Sequence, residues 1–157
     1  MLRTASGLFV ALLLASVARA DDDALDIRRY LPKDIPAGQA CDVLAKYFFW
    51  FDAGDAVVKQ CDEHMLRCEG SVDFVGKKGD ILFLLKQNAK DPTKIDYEFR
   101  WPGDMDKGTK TYRVDGNTLI LPESKNSAAL HLRPFGDNEG IELEIVGTIT
   151  IHLQFKQ

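Results

Sequence analysis

Between Lys94 and Trp101 the chain alternates without a break. Ile95, Tyr97, Phe99 and Trp101 are apolar, and Lys94, Asp96, Glu98 and Arg100 separate them. A period of two places the aromatic set on one face of a half-buried strand. Toward the C-terminus Ile141, Leu143, Ile145, Gly147, Ile149, Ile151, Leu153 and Phe155 share one parity. That run is long for a strand, so it predicts one strand bent at Gly147, or two strands meeting at a corner there. Tyr112-Arg113-Val114, then Asp115-Gly116, then Asn117 to Leu121 predicts a hairpin turning on Asp-Gly. In that register Val114 faces Asn117, and Tyr112 faces Leu119. Further strands are expected at 72–75, 81–87 and 128–133.

The N-terminal third carries a different pattern. Over residues 39–52 the polar Gln39, Asp42 and Lys46 fall at i, i+3 and i+7, and Val43, Leu44 and Tyr47 to Phe51 make up an apolar remainder. This predicts a helix buried over most of its circumference. Gly54 sits where a C-terminal cap belongs, and Asp55 caps a second helix from about Ala56 to Leu66. Val58, Cys61, Met65 and Cys68 share one face of it. The fold class expected is α+β: an N-terminal helical pair packed on a strongly curved antiparallel β-sheet or barrel of about seven or eight strands.

Residues 1–20 read as a signal peptide. Arg3 precedes the apolar stretch Leu8 to Val17, and Ala18-Arg19-Ala20 fits a signal-peptidase site with cleavage before Asp21. The mature protein is expected to be secreted. Residues 21–38 form an acidic lead-in, in which Pro32 and Pro36 prevent a long helix, with a short helical turn near Leu25 to Leu31. Arg28-Arg29 read as solvated charges. Residues 39–157 form one domain.

Composition narrows the partners. At 45% hydrophobic and 28% charged residues, the chain is neither a disordered acidic tail nor a multi-pass membrane protein. Removing residues 1–20 takes away two of 20 basic residues and none of 24 acidic ones, leaving 18 against 24, a net charge of −6. That balance speaks against nucleic acid and anionic lipid surfaces. No later segment is apolar and long enough to span a membrane. No Asn-x-Ser/Thr sequon is present, so N-glycosylation is not expected.

Cys41, Cys61 and Cys68 are the only cysteines. Export predicts one disulfide among them. If the second helix reaches Cys68, Cys61 and Cys68 lie about 10 Å apart along its axis, beyond the roughly 7 Å that a disulfide spans. Cys41 is then the partner of one of them. If the helix ends earlier, a Cys61–Cys68 pair stays open. The third thiol is either buried or links two chains into a disulfide-bonded dimer. Cys61, His64 and Cys68 at i, i+3 and i+7 suggest a metal face, but no fourth ligand is placed with them. No metal and no cofactor are expected.

The catalytic signatures Gly-x-Ser-x-Gly, a phosphate loop and His-Glu-x-x-His are absent. Glu98, Glu142 and Glu144 alternate outward with His131 and His152, and no inward position is acidic. A non-enzymatic protein is therefore expected.

Three architectures resemble parts of the chain. The run Gly108 to Leu119 looks like hairpins of lipocalin-like barrels. Tyr47-Phe48-Phe49-Trp50-Phe51-Asp52-Ala53-Gly54-Asp55 is similar to the helix-turn of nuclear-transport-factor-2-like cones, in which an aromatic helix lids a curved sheet. Trp101 followed by the Tyr-Arg-Val-Asp-Gly hairpin resembles an immunoglobulin-like sandwich, although that fold's paired cysteines are missing. All three resemblances imply a curved sheet around an apolar space.

The expected function is a secreted binding protein that holds a small hydrophobic or amphipathic ligand. Tyr47, Phe48 and Phe51 from the helix would line the site with Tyr97, Phe99 and Trp101. The same six residues also suit plain core packing. The alternative is a secreted interaction module that meets an extracellular protein through its surface, using Asp21 to Asp26 and the spare cysteine.

Overall fold

Period-two burial runs through nearly all of residues 25–157, the part of the chain that the computed structural model describes. The signal segment 1–20 and the first acidic residues of the lead-in lie outside it. Eleven strands follow one another: β1 Gln39–Lys46, β2 Trp50–Cys61, β3 Met65–Phe74, β4 Lys77–Gln87, β5 Lys94–Trp101, β6 Asp104–Thr111, β7 Arg113–Asp115, β8 Thr118–Leu121, β9 Leu130–Phe135, β10 Gly140–Ile145 and β11 Ile149–Phe155. They make a single antiparallel sheet in the order β6-β5-β4-β3-β2-β1-β11-β10-β9-β8-β7. Its two ends curl toward each other into a nearly closed barrel. Only the β1–β11 pairing joins strands far apart in sequence, Val43 facing Leu153 and Ala45 facing Ile151. The rest of the sheet is a meander.

The inner face is apolar along most of its length. Val43, Val58, Leu66, Ile95, Leu132, Ile141, Ile151 and Leu153 are completely buried. One end of the barrel is plugged from inside. Asp26 caps a 3₁₀ turn, Ile27–Tyr30, where the short helical turn was expected. Leu25, Ile27, Tyr30 and Leu31 are all buried there. The Ile27 amide donates to the Glu63 carbonyl at 2.9 Å, in the β2–β3 turn. The Lys33 amide donates to Asn138 Oδ1 at 3.2 Å, in the β9–β10 turn. The segment thus spans that end, and free space collects at the other. Among the described residues no helix is long and apolar enough to cross a membrane.

The expected helical pair does not form, so the fold is not α+β. Residues 39–46 are β1, and the second predicted helix is divided between β2 and β3. Cys41, Val43 and Ala45 point inward at a spacing of two. The polar stripe at i, i+3 and i+7 was a coincidence of a short window. In β2 two bulges hide the alternation. The register shifts opposite Val43/Leu44 and again between Val58 and Gln60, so the inward set reads Ala53, Ala56, Val58. Gly54 is no helix cap; it lies within β2. There and at Gly70 the strands approach so closely that a Cβ on Gly70 would stand 2.1 Å from the Asp55 carbonyl oxygen. A helix-lidded cone and a two-sheet sandwich are both set aside by the one continuous sheet.

Two turns also differ in detail. Val114 pairs with Leu119 and Asp115 with Thr118, so the hairpin turns on Gly116-Asn117, one residue later than expected. Gly116, with φ +58°, takes the first central position, where glycine carries no steric penalty. Gly147 bends no strand. It lies in the three-residue link between β10 and β11, where Ile145 faces Ile149 directly. A link of three residues preserves parity across a hairpin, which is why the two strands read as one run.

Candidate functional site

The alternation in β5 delivers three aromatic side chains to one place. Tyr97, Phe99 and Trp101 face inward and are 7–8% exposed. They line a cavity of about 260 Å³ at the end of the barrel opposite the plug, with Leu121, Leu130, Ile145 and Ile149 across from them. The cavity lies at the seam, where β5 and β6 approach the chain between β8 and β9.

Its polar groups converge on that seam. The Tyr97 hydroxyl donates to Asp106 Oδ1 at 3.0 Å, and the Ser127 hydroxyl donates to Asp106 Oδ2 at 2.5 Å. The two hydroxyl oxygens lie 3.1 Å apart. Lys110 Nζ donates to the Ala128 carbonyl at 3.1 Å and sits 5.2 Å from the Tyr97 ring centre. Burial pushes the Tyr97 phenol up; the Ser127 bond opposes this and Asp106 adds to it. Burial pulls the Lys110 ammonium below the usual lysine range, against the attraction of Asp106 and Glu123. Asp106 corrects the expectation that no inward position is acidic. The alternation in β6 is too weakly apolar to have revealed it: Asp104 to Thr111 contains one large hydrophobe, Met105.

Of the other three expected lining residues, Tyr47 reaches the rim of the cavity, and Phe48 and Phe51 stand outside it. Tyr47, Phe48 and Phe51 belong to the β1–β2 hairpin, not to a buried helix. Phe48 is 84% exposed and Tyr47 62%. Phe48 and Phe51 border a second hollow of about 490 Å³ with Phe74, Val75 and Trp101. Tyr47, Lys77, Trp101 and Ile149 line both spaces, so the groove and the cavity adjoin. The Phe51 and Phe74 ring centres are 5.3 Å apart, and Phe74 meets Trp101 edge-on at 6.4 Å. The groove is aromatic and the cavity ends in hydroxyls, a carboxylate and an amine.

The cysteines do not pair. Cys41, Cys61 and Cys68 carry free thiols. Cys41 in β1 and Cys68 in β3 are separated by β2, which places their backbones about 10 Å apart. Cys61 faces Leu66, so Cys68 is its diagonal neighbour, a relationship of about 7–8 Å, at or past the reach of a disulfide. Burial pushes the Cys41 thiol up to about 11 and Cys68 higher still. Cys61, His64 and Cys68 do not converge either. Among the described residues no group of three metal-ligating side chains comes together.

A separate ion network covers the outer wall. His152 stacks on Phe135 at 4.2 Å and meets Trp50 at a tilt with ring centres 4.1 Å apart, with its Nε2 2.7 Å from Glu142 Oε2. Arg133 donates to Glu142 and to Glu144, the latter at 2.8 Å. These groups face away from the cavity, as the outward alternation of β9, β10 and β11 requires.

Comparison with family models, curated proteins and solved structures gives no match.

Proposed function

We propose that the protein is a secreted, non-enzymatic carrier or sensor of a small amphipathic ligand. The observation that supports this most directly is the cavity at the seam, where Tyr97, Phe99 and Trp101 lead to Asp106, Ser127 and Lys110. Apolar walls with a few convergent polar groups are the usual form of a small-molecule site. The cavity alone is slightly smaller than most such sites, and the adjoining aromatic groove extends it. A ligand would lay its apolar part along Phe51, Phe74 and Trp101, and turn a hydrogen-bonding head toward the Asp106 cluster. The Ser127 hydroxyl rests on the Asp106 carboxylate, but no histidine or cysteine lines the cavity, so the nucleophile–imidazole pair of common hydrolases is missing, which favours binding over catalysis.

Native mass spectrometry of the protein from its natural source tests this. Extra mass that leaves on denaturation is the expected result. Binding of an apolar fluorescent probe such as N-phenyl-1-naphthylamine is also expected, and Trp101→Ala should abolish it. A bare mass together with no probe binding overturns the reading. Because Trp101 borders space already empty, its truncation should cost about 2–3 kcal/mol, less than the roughly 3–5 kcal/mol of a fully packed aromatic.

A further inference from the structure

We infer that the cavity end of the barrel docks on a zwitterionic phospholipid surface, inserting the tip of the β1–β2 hairpin. Eight of the nine exposed large hydrophobic side chains among the described residues belong to this one end. They are the run Tyr47 to Phe51 in the β1–β2 hairpin, Val75 in the β3–β4 turn, Met105 after the β5–β6 turn and Val146 in the β10–β11 link. The opposite end has turns of another kind. Asp62-Glu63-His64, Asn88 to Thr93 and Gly136 to Glu139 carry no large hydrophobic side chain. So polarised a distribution does not arise from singly scattered surface hydrophobes.

The shape and chemistry of the tip select the occupant. Phe48 and Phe49, at 84% and 74% exposed, stand on a projecting turn at the rim of the aromatic groove. A deformable apolar phase covers such a tip on all sides, whereas a second convex tip does not. Tyr47 and Trp50 flank the two phenylalanines, and these two residue types favour the boundary between hydrocarbon and water. The charges around the tip have both signs. Lys46, Lys77, Lys78 and Lys125 are exposed, and so are Asp73, Asp104 and Glu123. Lys46 Nζ lies 5.7 Å from the Trp50 ring centre. A mixed collar complements headgroups that pair a phosphate with an ammonium, and gives no preference for an anionic membrane. This inference goes beyond the ligand-binding reading and does not require the cavity to be occupied.

The test is co-sedimentation of the chain from Asp21 to Gln157 with phosphatidylcholine vesicles. Binding is expected, and 20% phosphatidylserine should not strengthen it. Phe48→Asp/Phe49→Asp should lower partitioning at least roughly tenfold while leaving the circular dichroism spectrum unchanged. Val114→Asp, at the exposed hydrophobic position on β7 away from the tip, should have no effect on partitioning. No binding by the wild-type chain overturns the inference, as does equal binding by the double variant. Binding only to phosphatidylserine vesicles also overturns it. So does a dimer in sedimentation velocity that the double variant abolishes without any vesicle binding, because a second copy would then cover the tip. Retention of a ligand in the cavity is measured separately, so either reading can fail alone.

Discussion

Ser127 and Asp106 hold the two ends of the sheet together: the serine hydroxyl donates to the carboxylate at 2.5 Å across the seam of the barrel. No strand pairing joins β6 to β7. Side chains close the barrel where the backbone does not, and the same side chains form the polar end of the cavity. Ser127→Ala removes one hydrogen bond to a charged acceptor, which is worth about 1.5–3 kcal/mol. Urea denaturation should show a loss of that size. Hydrogen exchange should speed up in β6 and the β8–β9 link, while the β1–β11 pairing stays protected.

Gly70 supports the curvature of the barrel through a different effect. A methyl group there meets backbone atoms of β2, with Ala56 Cα at 2.7 Å as well as the Asp55 oxygen. Backbone cannot rotate away as a side chain can. Gly70→Ala should therefore cost about 3 kcal/mol or more, measured by thermal unfolding. Gly76→Ala is the contrast. A Cβ there meets nothing within 4 Å, so only the φ of +74° penalises it, by about 1–2 kcal/mol.

Glu142 ties stability to pH. Its partial burial favours the neutral form, but the bonds from His152 and Arg133 outweigh this and hold the carboxyl below its ordinary value of 4.5. A carboxyl with a lowered folded-state value binds fewer protons folded than unfolded. Its contribution is therefore complete above about pH 4.5 and is lost as pH falls through the folded value. Glu142→Gln should flatten the acid limb of a stability-versus-pH curve below that point. An unchanged acid limb would count against the ion network.

The thiols give a direct check on the strand assignment. Cys41 and Cys68 are buried with raised proton affinities, and Cys61 is half-buried and also raised. A thiol reagent at pH 8 should react slowly with Cys61 first, and with all three only after denaturation. Intact mass without reductant should show no loss of two hydrogens.

Several features were legible from the sequence alone because they are local. The inward face of β5 follows from alternation in eight residues, and so does the inward parity of β10 and β11. The β7–β8 hairpin follows from one turn, to within a residue. Alternation therefore places Tyr97, Phe99 and Trp101 on the enclosed side, where they line the cavity. The identity of β1, β2 and β3 was not local. Over eight residues, Gln39 to Lys46 satisfies periods of two and of 3.6 about equally well, and two bulges break the pattern of β2. What decides these segments is pairing with β11 and β4, which the linear pattern does not contain. The same pairing turns the run Tyr47 to Phe51 from a buried helix face into an exposed hairpin tip, since a turn between paired strands projects beyond the sheet. Asp106 and Ser127 lie 21 residues apart and enter the site only because the sheet closes on itself. The sequence determined which faces are apolar. The tertiary structure decided where those faces end and which polar groups meet there, because barrel closure fixes distances between strands that share no local signal.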